Sequence, residues 1–434
     1  MKVLVTGAGG FVGTEVVKNL LSHGFEVRGL IRNPAQREGL EKLGAEVFIG
    51  DLKDKASIKK AVTGVKRIFH IAALFRQAGL PDSEYYDVNL EGTRNMLDAG
   101  VEEGIEKFIH CSTVGVHGDI KNPPCVEDTP FAPGDHYQIS KLQGENLVNE
   151  YFKNKKLSGA IIRPAMIYGK CDTRLLKLFK MISQNKFFYV GPGDALVHFI
   201  DVRDLADAFR LAAEVEEANG ETFIISGRTS LKLRELVTIV STLFGVAEPK
   251  LHLPVKPMQI LGSICETICT PLKINPPIFR RRVDFFTKNR NFDSAKARRI
   301  LGFKPQKSLV EELIDIIDSY LESGMIQPTG NNKPASILRT IDGQVKSLDN
   351  EAKKLYGLDE DKLIGKLTHD VFQTEFPEKL DVINKTLKTT GKWKGKLLHK
   401  TKANKSQAVD SKWMIVPNGE MQNQMILEVN TPSK

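Results

Sequence analysis

The chain has 434 residues, 62 Lys and Arg against 53 Asp and Glu, a formal charge of +9 and 41% hydrophobic residues. This length suits two or three domains, and the composition excludes wholesale disorder. Five cysteines, an odd number without a CxxC pair, exclude a disulfide scaffold, argue against a zinc module and point to a reducing, cytoplasmic setting. No window approaches the ~18 uninterrupted apolar residues of a membrane span. The opening MKVLVTGAGG enters a strand and a glycine turn directly, so no secretory signal is expected.

Lys2–Thr6 reads as a short apolar strand suited to burial on both faces. Gly7, Gly10 and Gly13 follow in TGAGGFVG, then a helix over 14–22 with Val16, Val17, Leu20 and Leu21 on its apolar face. Glycines permit the tight turn and the close approach of backbone to a pyrophosphate, and the helix N-terminus offers N–H groups to that anion. Further strands are expected at Glu26–Ile31, 47–49, 67–71 and 107–112, separated by helices. This alternation predicts an α/β fold, a right-handed, doubly wound parallel sheet of Rossmann type.

Arg32 ends the second strand, where an acid would hold both ribose hydroxyls of NAD. A cation there, with Arg37 further on, suits the 2′-phosphate of NADP, the alternatives being NAD or a plain surface charge. Asp51, in IGDL, is placed to accept from an adenine amino group and can also cap the next helix. Tyr137 and Lys141, in YQISK, share one helical face, with Thr113 upstream in CSTVGVHG. An ammonium beside a phenol favours phenolate, so Tyr137 can exchange a proton with a substrate oxygen to which Thr113 donates. Lys141 can also hold the nicotinamide ribose.

With TGAGGFVG, GDL at 50–52, HIAAL at 70–74, VNLEGTRNML at 88–97, CSTVGVHG, YQISK, IIRPAMIYG at 161–169 and HFIDVRDLADAF at 198–209, residues 1–325 resemble an extended short-chain dehydrogenase/reductase of the NAD(P)-dependent epimerase/dehydratase superfamily. The resemblance implies a cofactor role for Gly7, Gly10, Phe11, Val12, Gly13, Arg32, Asp51, Leu52, Ala72, Tyr137, Lys141 and Pro164. It implies catalytic roles for Thr113, Tyr137 and Lys141, and a supporting one for Asn89. RPAMIYG and VRGLIR look more like the dihydroflavonol reductase and 3β-hydroxysteroid dehydrogenase branch than like nucleotide-sugar epimerases. The implied substrate lobe comes largely from 170–200 and 225–325. There the apolar helix expected at 258–272 suggests an apolar substrate or an ordinary core helix. Cys265 and Cys269 share a face of that helix but make a poor metal site, so no metal is expected.

GMIQPTGNNKP leads into a linker at 326–334. Strands at 337–341 and Val345–Leu348 flank the hairpin signal Asp342-Gly343. Helical segments are expected at 351–356, 359–364 and 377–390. Strands at 392–401, 407–416 and 421–429 follow, with turns at Asn404 and at Asn418-Gly419. With NEAKKLYGLDEDKLIGK, TEFPEKL and TGKWKGKLLHKT, residues 335–430 resemble a PAS domain, an α+β fold around an antiparallel sheet. His369 and His399 read as surface or core residues rather than haem ligands. The sequence runs out at EVNTPSK, so output is expected through the reductase or through dimerisation.

More than half of the +9 lies after residue 329. Lys392, Lys394 and Lys396 alternate with Trp393 and Gly395, which predicts lysines on one strand face and the tryptophan on the other. Without a nucleic-acid-binding motif, this is read as a solvated face. The sequence thus predicts an NADP(H)-dependent oxidoreductase interconverting an alcohol and a ketone or aldehyde on a small apolar molecule. A homodimer without nucleic-acid partner or transmembrane segment is expected. The alternatives are a nucleotide-sugar epimerase/dehydratase and a non-catalytic sensor of NADP occupancy.

Overall fold

Residues 1–77, 79–269, 280–327, 333–358, 360–403, 405–418 and 424–433 are described by a computed structural model. The N-terminal alternation runs β1 (Lys2–Thr6), α1 (Phe11–Ser22), β2 (Glu26–Ile31), α2 (Arg37–Lys42), β3 (Glu46–Ile49), α3 (Lys55–Val62) and β4 (Arg67–His70). It continues through α4 (Ser83–Tyr86), α5 (Gly92–Glu103), β5 (Lys107–Cys111), α6 (His136–Lys153) and β6 (Gly159–Pro164). With the strand Thr222–Ile225, these form a seven-stranded sheet ordered Thr222–Ile225, β6, β5, β4, β1, β2, β3. Every pairing is parallel.

Side chains of β1 alternate between two cores because a sheet covered on both faces must be apolar on both. Val3 and Val5 pack with Val16, Val17 and Leu20 of α1 and with the helix Val202–Glu214. Leu4 packs with Ile58 of α3, Met96 of α5 and Val148 of α6. Strand order reverses between β1 and β4, so the crevice beyond their carboxyl ends is the topological switch point of the sheet. Among the described residues no helix is long and apolar enough to cross a membrane.

The chain divides into two compact units. One comprises Met1–Ile167, Leu196–Gly227 and Lys256–Gln306, and holds the parallel sheet. The apolar helix expected at 258–272 is Val255–Cys269, with Ile260, Leu261 and Ile264 exposed rather than in a core. Residues 270–272 lie outside the described residues.

The other unit comprises Tyr168–Ala195, Arg228–Val255 and Lys307–Lys434. Its main feature is a five-stranded antiparallel sheet ordered Val345–Leu348, Ala335–Thr340, Met425–Pro432, Ser406–Val416, Lys392–Lys400. Lys392, Lys394 and Lys396 are exposed while Trp393, Leu397 and His399 point inward, the alternation expected of this strand. The helix expected at 377–390 begins at Leu380, and the segment expected at 359–364 is a short 3₁₀ turn at Glu360–Lys362. The turn at 404 and residue 419 of the second turn lie outside the described residues.

Buried polar groups tie this unit together. Lys333 bonds Asp318 at 2.8 Å and Asp349 at 2.9 Å, and its side chain is 5% exposed. Asp318 lies on the helix Leu309–Glu322, and Asp349 caps the helix Asn350–Tyr356. Of the described residues of the expected linker, Ile326, Lys333 and Pro334 are buried and Gln327 is exposed. Within the sheet, Arg339 bonds Glu428 at 3.0 Å, and Asn430 bridges Glu428 to the Tyr356 hydroxyl. That hydroxyl meets His399 Nδ1 at 2.8 Å. His399 is thus a core residue, 1% exposed.

Candidate active site

The glycine turn is built by close backbone approach. Gly7 has φ +66°, and a Cβ there would stand 2.9 Å from Ala72 Cα. Gly10 N–H donates to Gly7 C=O at 2.9 Å. A Cβ on Gly13 would lie 2.1 Å from that same oxygen. Gly13 therefore belongs to α1, which begins at Phe11 rather than at 14 and has no side-chain cap and no acid in its first turn. Such an N-terminus suits an anion. Thr6 Oγ1 accepts from Ile71 and Ala72 N–H, joining the ends of β1 and β4 at the switch point.

The outer cofactor residues divide. Arg32 is exposed at the end of β2, whereas Arg37 pairs with Glu41 at 3.5 Å. Asp51 Oδ1 accepts from Lys53 N–H, and the cap of α3 is Asp54, not Asp51. Leu52 is buried against Gly92. Gln36 also donates to Gly9 C=O at 2.9 Å and covers that glycine, a contact that no motif signals.

Tyr137 and Lys141 lie one turn apart on α6, whose N-cap Asp135 accepts from Gln138 N–H. Thr113, two residues after β5, caps a 3₁₀ turn through Gly115 N–H and sits within reach of the Tyr137 phenol. Lys141 Nζ donates to Cys111 C=O at 2.6 Å. Burial pulls the Lys141 ammonium below its usual range. Burial also pushes the Tyr137 phenol up, with Cys111 adding to it, while Arg76 and a hydrogen bond with Thr113 oppose. The Lys141 ammonium is engaged at the Cys111 carbonyl, and burial dominates at the Tyr137 phenol.

Asn89 does not aim at the phenol. Its amide bonds both backbone groups of Leu74 and the Ser140 hydroxyl, joining the segment after β4 to α6. Behind the site, Glu145 of α6 accepts from Ser112 at 2.5 Å and from Arg163 Nη2 at 2.5 Å. This buried pair fixes β5, α6 and β6 together next to Pro164. His70 is hydrogen-bonded to Thr6 and Thr93, and burial holds it neutral, down to about 3. Among the described residues no cluster could hold a metal ion.

The profile of the NAD dependent epimerase/dehydratase family matches residues 3–226. The chain belongs to this family. It is 30% identical over 299 residues to the N-acetyl-alpha-D-glucosaminyl-diphospho-ditrans,octacis-undecaprenol 4-epimerase of Escherichia coli O157:H7, covering 68% of this chain and 88% of the relative. It is 27% identical over 309 residues to the 4-hydroxy-2-methyl-3-oxo-4-farnesyl-3,4-dihydroquinoline-1-oxide ketoreductase of Stigmatella aurantiaca, covering 70% and 92%. The crystal structure of gox2253 superposes with a TM-score of 0.64 at 30% identity, covering 75% of this chain and 99% of that one. For an epimerase/dehydratase family member the glycine turn fits a nicotinamide dinucleotide, since a Cβ at position 7 or 13 would strike the chain's own backbone and open the tight turn that presents the uncapped N-terminus of α1.

Proposed function

We propose that the chain is a nicotinamide-dependent oxidoreductase that interconverts an alcohol and a ketone or aldehyde. The observation that carries this reading is the convergence of Thr113, Tyr137 and Lys141 beside the glycine cradle. Gly7, Gly10, Gly13 and the start of α1 would hold the pyrophosphate, Asp51 the adenine, and Arg32 a 2′-phosphate, which favours NADP over NAD. The bound nicotinamide supplies the hydride chemistry. Thr113 orients the substrate oxygen by hydrogen bonding, and Tyr137 gives or takes its proton. Lys141 is held by Cys111 C=O with further N–H donors available to a ribose. Polyprenyl groups in the names of both relatives support an apolar substrate. The element order of 335–432 supports a PAS-type module with a sensory or dimerising role.

Screening alcohols and carbonyls by NADPH absorbance tests the reading. Tyr137→Phe should keep cofactor affinity and lower turnover by about 10²–10⁴-fold, and turnover equal to wild type refutes the assignment. The similarity to a 4-epimerase favours a second reading, in which hydrogen is removed and returned within one turnover. That reading requires a sugar isomer to form without net change in NADPH absorbance.

A further inference from the structure

Arg76 follows β4 without belonging to any motif, yet the fold carries it to the site. Its guanidinium carbon lies 5.0 Å from the centroid of the Tyr137 ring. Its Nε donates to Asp135 Oδ2 at 2.6 Å. Phe75 meets the same ring edge-on at 5.1 Å. The phenol is thus enclosed by an aromatic edge and a tethered cation, while Lys141, one turn along α6, is engaged at Cys111.

We propose that Arg76 is a positioning residue for Tyr137: seated on the ring face and tethered by Asp135, its guanidinium stabilises the phenolate through which the proton passes. A cation over an aromatic face attracts the ring, and attracts it more when the ring is anionic. The proposal rests on the reading of Tyr137 as the proton-transfer group and adds a second cation to that site.

Other charged groups face these two side chains. Cys111, at the end of β5, and Asp135 oppose phenol ionisation, whereas Arg76 and Thr113 favour it. Burial raises the Cys111 thiol to about 11, so it is uncharged below that pH. Arg290, beyond the helix Arg280–Thr287, is a second cation that senses Arg76 as a like charge, with Asp284 and then Asp119 offsetting it.

The test is ionisation of Tyr137 in cofactor-loaded, full-length protein carrying tyrosine labelled with ¹³C at the ring carbon that bears oxygen. The resonance missing in Tyr137→Phe identifies the residue. Arg76→Gln should raise its midpoint by about one pH unit or more, while Arg76→Lys, which keeps the charge, should restore most of it. The acid limb of kcat/KM should move up with the midpoint. An unchanged midpoint in Arg76→Gln, an equal shift in Arg76→Lys, or a wild-type phenol still protonated at pH 12 overturns the proposal. A rise in KM alone, with the midpoint fixed, also overturns it and makes Arg76 a substrate-binding group. The titration needs no substrate, so it stands or fails separately from turnover.

Discussion

The parallel and antiparallel sheets bury charge in opposite ways. At the end of the parallel sheet, among the described residues, Lys141 has a single backbone acceptor, and Arg76 one carboxylate partner at part-exposed depth. Around the antiparallel sheet, Lys333 lies between two carboxylates. Arg339, Glu428, Asn430, Tyr356 and His399 there bond in series. The Arg339 guanidinium also lies 4.1 Å from the centroid of the Trp413 ring. A buried charge paired within its own chain is a structural element, whereas an incompletely paired one in a crevice is a candidate for completion by another molecule. Both regions use low-dielectric surroundings, but in the first the cations lie beside a phenol, Arg76 on its ring face and Lys141 one helical turn away.

Lys333 offers the strongest way to break this contrast. Lys333→Met removes one cation from two buried carboxylates and should cost about 3–5 kcal/mol. Urea unfolding followed by Trp393 and Trp413 emission reports on this unit directly, since both rings are buried there, 4.8 Å apart. A loss below about 1 kcal/mol would place Lys333 among ordinary surface pairs. The pH dependence has a definite sign. Burial opposes the Lys333 charge, but Asp349 and Asp318 outweigh it and raise its pKa. Its stabilisation is fully present below the ordinary lysine value and is lost as pH climbs through the raised one.

Gly13→Ala probes the open side of the comparison. The added methyl would stand 2.1 Å from Gly7 O and 2.9 Å from Ala8 Cα, so backbone must move. The cost should be about 1–3 kcal/mol, read as roughly tenfold or greater loss of nicotinamide cofactor affinity by titration. Gly39→Ala is the matched control. It lies in α2 with nothing within 4 Å of a new Cβ, and cofactor affinity should not change. Equal losses in the two variants would show that the cradle is not the binding surface.

Much of the strand framework is legible in the sequence, and the illegible part has a physical cause. Strand spans at Lys2–Thr6, Glu26–Ile31 and Val345–Leu348 follow from short segments bounded by turn signals, Gly7 after the first and Asp342-Gly343 before the last. The start of α1 was missed because Gly13 reads as turn, whereas its missing Cβ serves helix packing on Gly7. The helix at Thr368–Val371 went unseen because it is too short to show a period. Arg76 and Lys333 were invisible for another reason. Each sits in irregular chain, and each owes its role to carboxylates distant in sequence, Asp135 for one, Asp318 and Asp349 for the other. Gly, Asn and Pro around Lys333 signal a loop, and a loop composition does not reveal which of its ends is packed.

Arg32→Asp asks the smallest and finest question of the open site. The side chain is exposed at the end of β2, so replacing it should leave stability within about 0.5 kcal/mol. What should change is discrimination. An arginine can meet a 2′-phosphate with two N–H groups, whereas an aspartate repels the phosphate and accepts from ribose hydroxyls. The ratio of NADP to NAD affinity should therefore fall by about tenfold or more, near 1.4 kcal/mol. Calorimetric titration of both cofactors against both proteins measures it. If the ratio holds, Arg32 is a solvated charge like Lys394 and Lys396. The unfilled cations of the site would then be confined to Lys141 and Arg76, close to the phenol.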